Sequence, residues 1–115
     1  MIPSLQGRRL LVVEDEPLVA MLLETILEEM GCEVLGPFST PQSALDALRD
    51  GPRPDAALLD VNVSGEEVFP VAEAAKGLGA LVIFCTGYGE GALTEPWRGS
   101  PILQKPFTEA TVHET

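Results

Sequence analysis

Five short strand-like runs, each followed by polar or turn-forming residues and then by helical patterning, constrain this chain most. They are Leu10–Val13, Glu33–Phe38, Ala56–Leu59, Leu81–Cys85 and Ile102–Leu103. Continuous apolar runs of this length suit strands covered on both faces. After the first run, Val19, Leu22, Leu23, Ile26, Leu27 and Met30 recur at helical spacing,. That helix opens near Glu16 or Pro17, where proline is tolerated, and Gly31 marks its end. The second run carries Gly36 and Pro37, which suits an edge strand. Thr40-Pro41 then reads as a cap with proline in the first turn of a helix running to about Arg49. Val61 to Glu67 reads as loop, Gly65 to Phe69 as irregular, and Pro70 to Lys76 as a short helix. A further short helix is expected between Ala92 and Trp97, with Trp97 packing its segment onto the sheet. Only eight residues follow Phe107, so the final helix is expected to be short.

Strands alternating with helices predict an α/β fold with a doubly wound, five-stranded parallel sheet. The flavodoxin-like order 2-1-3-4-5 fits five such strands. With 115 residues, no internal repeat and no linker-like stretch, residues 1–115 are expected to form a single domain,.

Charge and composition narrow the function. The net charge of −11 repels a phosphate backbone, so no nucleic-acid partner is expected,. The longest apolar runs, Leu18 to Leu23 and Ala80 to Cys85, have 6 residues each. A membrane span needs about 18, so no membrane association is expected and the expected location is cytoplasmic. Cys32 and Cys85 lie outside any metal or redox motif and read as reduced core thiols.

In open α/β sheets, sites form at the carboxyl ends of the strands. The first strand delivers Glu14 and Asp15 there, the third Asp60, the fourth Thr86 and the fifth Lys105. In the expected order these four strands are neighbours, so the five residues converge. Three carboxylates in one pocket repel, and a hard divalent cation such as Mg²⁺ relieves that repulsion. Lys105 adds a compact positive charge, and Thr86 a hydroxyl able to donate to a phosphoryl oxygen.

These residues resemble the receiver domains of bacterial two-component response regulators. The likeness rests on Leu11 to Glu16 (LVVEDE), Leu58-Leu59-Asp60, Thr86-Gly87 and Lys105-Pro106-Phe107, in matching order and spacing. The resemblance implies that Asp60 is the phosphoacceptor and that Glu14 and Asp15 sit beside Mg²⁺. It further implies that Asn62 offers its backbone carbonyl to the metal and that Thr86 and Lys105 contact the phosphoryl group. The implied phosphodonor is a sensor histidine kinase. The implied output is a conformational change read by a downstream protein partner or phosphotransferase, or service as a phosphate sink. Such a protein assists its own phosphorylation and dephosphorylation and is not expected to be an enzyme in the usual sense.

Two positions depart from ordinary receivers. Ile102 stands three residues before Lys105, where an aromatic switch residue is usual. Phe84-Cys85-Thr86-Gly87-Tyr88 instead resembles atypical stand-alone receivers with a FATGUY-type motif, which makes Tyr88 a switch candidate. Alternative readings are a receiver module of a hybrid sensor kinase, or a flavodoxin-like ligand-binding protein outside the receiver family. For a flavin phosphate, Glu14-Asp15-Glu16 after the first strand is repulsive.

Overall fold

The structure is a computed structural model that describes residues 7–63, 66–86, 97 and 100–104. The strands are β1 (Arg9–Val13), β2 (Glu33–Phe38), β3 (Ala56–Asp60), β4 (Asn62–Val63), β5 (Glu66–Glu67), β6 (Leu81–Thr86) and β7 (Ile102–Gln104). The helices among the described residues are α1 (Pro17–Glu29), α2 (Pro41–Asp50) and α3 (Phe69–Gly77). Strands β2-β1-β3-β6-β7 form one sheet in that order, and every pairing within it is parallel. This is the expected α/β architecture, with the main-sheet strands in the order 2-1-3-4-5 when numbered among themselves.

The apolar runs are buried on both sides because side chains alternate across a strand. Leu10 and Val12 of β1, with Leu58, Ile83 and Cys85, pack under Leu23, Ile26 and Leu27 of α1. Leu11 and Val13, with Ala57, Leu59 and Phe84, pack under Ala44 and Leu48 of α2 and Val71, Ala72 and Ala75 of α3. Both cysteines are buried and unbridged, as expected. Burial raises the Cys32 thiol above its ordinary pKa, because charge is disfavoured away from water.

Helix ends follow the local chemistry. Pro17 opens α1, and Gly31 ends it with φ of 86°. Thr40 caps α2, its Oγ1 accepting from the Ser43 N–H at 3.2 Å. Among the described residues, no helix is long and apolar enough to cross a membrane.

Three local expectations need correction. The stretch after Asp60 is not all loop: Asn62 pairs antiparallel with Glu67, and Val63 with Glu66. Two-residue strands are too short to leave a periodic signal. Helix α3 begins at Phe69, one residue before Pro70, so Phe69 is helical. Leu22 does not face the core and is 47% exposed, as Leu18 (79%) and Met21 (60%) also are. At about 100° per residue, Ala20, Leu23, Ile26 and Leu27 share the buried arc, and Leu18, Met21 and Leu22 fall outside it. The expected helices after Ala92 and after Phe107 lie outside the described residues.

Candidate functional site: an acidic pocket at the carboxyl edge of the sheet

Register delivers the acidic residues to one place. Val13 of β1 lies beside Leu59 of β3, so Glu14, the next residue, comes level with Asp60. Asp60 pairs with Cys85 of β6, which sets Thr86 one residue further along the neighbouring strand. Thr86 in turn pairs with Gln104 of β7. Of the expected site residues, Thr86 and Asn62 are placed by their backbones. Lys105 and Tyr88 lie outside the described residues.

Carboxylate oxygens of Glu14, Asp15 and Asp60 lie within 4.8 Å of one another. Glu14 is 3% exposed, whereas Asp15 and Asp60 reach solvent. Hydrogen bonds at its backbone and side chain help hold Glu14 in place. Its backbone N–H donates to the Phe38 carbonyl at 2.9 Å, and its Oε2 accepts from the Glu16 N–H at 3.1 Å. The second bond sets the carboxylate at the entrance to α1, where unpaired N–H groups and the helix dipole favour negative charge. The first depends on a break in the β1–β2 register. Leu11 pairs with Leu35, but Val13 pairs with Phe38. Gly36 permits the break: its φ is 102°, and a Cβ there would meet the Val12 carbonyl oxygen at 2.9 Å,.

Beyond Asp60 the chain is held back against the sheet. The Val61 N–H donates to the Cys85 carbonyl at 3.4 Å, and the Val68 N–H donates to the Val61 carbonyl at 3.1 Å. Between these bonds runs the β4–β5 hairpin that carries Asn62. Three carboxylates this close fit a hard divalent cation that takes oxygen ligands, and their small number leaves coordination positions for water and substrate oxygens.

Sequence reasoning missed two features near the site. One is the bond from the Glu16 N–H to Glu14. Its signal was present, since an acidic residue two positions ahead of Glu16 and three ahead of Pro17 is placed to meet the first turn of α1. The other is an aromatic column. Phe69 packs edge-on against Phe84 at 5.8 Å, and Phe84 against Trp97 at 5.7 Å. Trp97 is buried against the sheet, as expected for it.

Fold and pocket together define a doubly wound α/β protein with a carboxylate cluster at the end of its central strands, the setting of an aspartate phosphoacceptor. The chain belongs to the response regulator receiver domains of two-component signalling, whose family model matches residues 10–115. The chain is similar to the phyllosphere-induced regulator PhyR of Methylorubrum extorquens, at 35% identity over 107 residues, 90% of this chain and 40% of PhyR. It spans about half or less of the length of the curated relatives it matches. The solution structure of SdrG from Sphingomonas melonis Fr1 is 41% identical with a TM-score of 0.81, over 96% of this chain and 93% of that one. The BeF3-activated conformation of SdrG from Pseudomonas melonis Fr1 is 42% identical with a TM-score of 0.78, over 92% and 90%.

Proposed function

We propose that this receiver domain accepts a phosphoryl group on Asp60 from the phosphohistidine of a sensor histidine kinase. The observation that carries this is the carboxylate cluster of Glu14, Asp15 and Asp60 within 4.8 Å at the carboxyl edge of a receiver sheet. A carboxylate oxygen of Asp60 attacks phosphorus in line as the P–N bond breaks. The electron pair leaves with the imidazole, which ends neutral once protonated, and the product is an acyl phosphate. Water later attacks that phosphate and regenerates the carboxylate. Most of the rate comes from positioning and charge stabilisation. Glu14, Asp15, Asp60 and the Asn62 carbonyl would hold Mg²⁺, which when bound supplies positive charge to the phosphoryl oxygens. Thr86 and Lys105 contact the same oxygens, and Tyr88 takes the part of the aromatic absent at position 102.

In this reading the chain is one cytoplasmic receiver module that assists its own phosphorylation and signals by a change of conformation passed to a protein partner. The exposed Leu18, Met21 and Leu22 support docking of the phosphodonor, because they lie on the first half of α1, immediately beyond Asp15. A solvent-facing apolar cluster of this kind suits a protein contact.

The test is intact-mass analysis after incubation with Mg²⁺ and acetyl phosphate. One phosphoryl adduct is expected in the parent and none in Asp60→Asn. An adduct undiminished in Asp60→Asn places the acceptor elsewhere and overturns the assignment.

A further inference from the structure

Two segments leave the acidic pocket, and both end on the ring of Phe84. The first is β6 itself: Phe84 directly precedes Cys85, the register partner of Asp60, and lies two residues before Thr86. The second runs through the hairpin after Asp60, is tied back by the Val68–Val61 bond, and opens α3 with Phe69. The Phe69 ring meets Phe84 edge-on at 5.8 Å. Phe84 is fully buried, with no exposed surface. It cannot shift without moving a neighbour, because interiors are close-packed and rearrange between discrete packings. One such neighbour is Trp97, 5.7 Å away between ring centroids. Trp97 precedes β7, its carbonyl accepting from the Ser100 N–H at 3.0 Å, and the Phe84 N–H donates to the Pro101 carbonyl at 3.0 Å. The ammonium of Lys76, an exposed residue at the end of α3, lies 5.4 Å from the centroid of the Trp97 ring. A cation at this distance from an indole ring is attracted to it. The column therefore joins the two segments that leave the pocket, through the core, to a charged contact at the surface.

We propose that the Phe69–Phe84–Trp97–Lys76 column is a conformational relay, and that the Lys76–Trp97 contact is one of the elements whose arrangement depends on phosphorylation of Asp60. This rests on the phosphoacceptor reading above. Added charge at Asp60 displaces the hairpin and the end of β6. Both displacements converge on Phe84 and pass to Trp97, which anchors the chain before β7 to α3. The coupling is reciprocal by linkage: if loading of the pocket alters the Trp97 contact, altering that contact must alter affinity at the pocket. A contact that serves packing alone has no such effect.

The experiment titrates the protein with beryllofluoride in Mg²⁺. Adduct formation is read by ¹⁹F NMR and the single tryptophan by its emission. Trp97 emission is expected to change with the same midpoint as the adduct. Lys76→Met keeps the apolar stem and removes the charge, and it is expected to move that midpoint about fivefold or more. Leu81→Ala, an exposed position on the same strand as Phe84, is expected to leave the midpoint within about twofold of the parent, below the usual range of coupling. Circular dichroism confirms folding of each variant. An adduct that forms with unchanged Trp97 emission, or a Lys76→Met midpoint equal to the parent's, overturns the relay and leaves the phosphoacceptor reading intact. Absence of any adduct in the parent overturns both.

Discussion

Replacing Glu14 by glutamine separates the structural from the chemical duty of the pocket. Glu14 is buried, and its carboxylate accepts from the Glu16 N–H. Glutamine keeps an oxygen for that bond, so the cost of an unsatisfied buried donor, about 1–3 kcal/mol, is avoided. It removes one of three negative charges whose oxygens lie within 4.8 Å. Repulsion between two charges at that distance is about 0.9 kcal/mol in water and about 3.5 kcal/mol at an effective dielectric of about 20. Two of the three pairs involve Glu14. Because Asp15 and Asp60 reach solvent, the lower end of the range applies to each pair. Losing the negative charge favoured at the opening of α1, about 0.3–1 kcal/mol, offsets part of this, so the expected gain without metal is about 1 kcal/mol. For a domain of this size, each kcal/mol raises Tm by about 4 °C. Mg²⁺ should have the opposite consequence. At about ten times its Kd it stabilises the parent by about 1.4 kcal/mol through mass action, and Glu14→Gln should lose most of that increment. Thermal melts in EDTA and across a Mg²⁺ series read both effects. A variant less stable than the parent in EDTA refutes the repulsion argument. A variant that gains as much as the parent from Mg²⁺ removes Glu14 from the cation site.

Two further outcomes are expected. Leu22→Glu, on the exposed apolar face of α1, should slow phosphotransfer from the cognate histidine kinase at least tenfold, or about 1.4 kcal/mol. It should leave stability and acetyl phosphate labelling near the parent's, and slowed labelling by both donors would show damage to the pocket instead. Cys32 supplies a pH dependence. Its pKa is raised in the folded state by burial, so folding favours the protonated thiol. That contribution is complete below the thiol's ordinary pKa and is lost as pH rises through the raised value. Urea unfolding at neutral and alkaline pH should show a smaller alkaline loss of stability in Cys32→Ala than in the parent, and equal losses contradict the assignment.

Much of the fold was legible because its signals are local. An apolar run such as Leu10–Val13 declares a doubly covered strand by itself, Pro17 and Gly31 bracket α1, and Thr40-Pro41 starts α2. The acidic residues were legible too, since Glu14, Asp15 and Asp60 directly follow or end strands whose neighbours follow from the parallel order. What the chain alone did not disclose depends on contacts between segments distant in sequence. The β4–β5 hairpin is too short to carry a period. The exposure of Leu22 is set by which arc of α1 meets β1 and β3, not by spacing alone. The column of Phe69, Phe84 and Trp97 exists only because α3, β6 and the residues before β7 meet on one face of the sheet.

The amino-acid sequence determined which residues lie at the strand ends and what chemistry they carry. Tertiary structure decided how they are held: the register break at Gly36 lets Phe38 receive the Glu14 N–H, and the opening of α1 offers the Glu16 N–H to its carboxylate. The physical reason is that propensity and periodicity act over a few residues, whereas a pocket is made of hydrogen bonds and packing between strands whose separation in the chain says nothing of their distance in space.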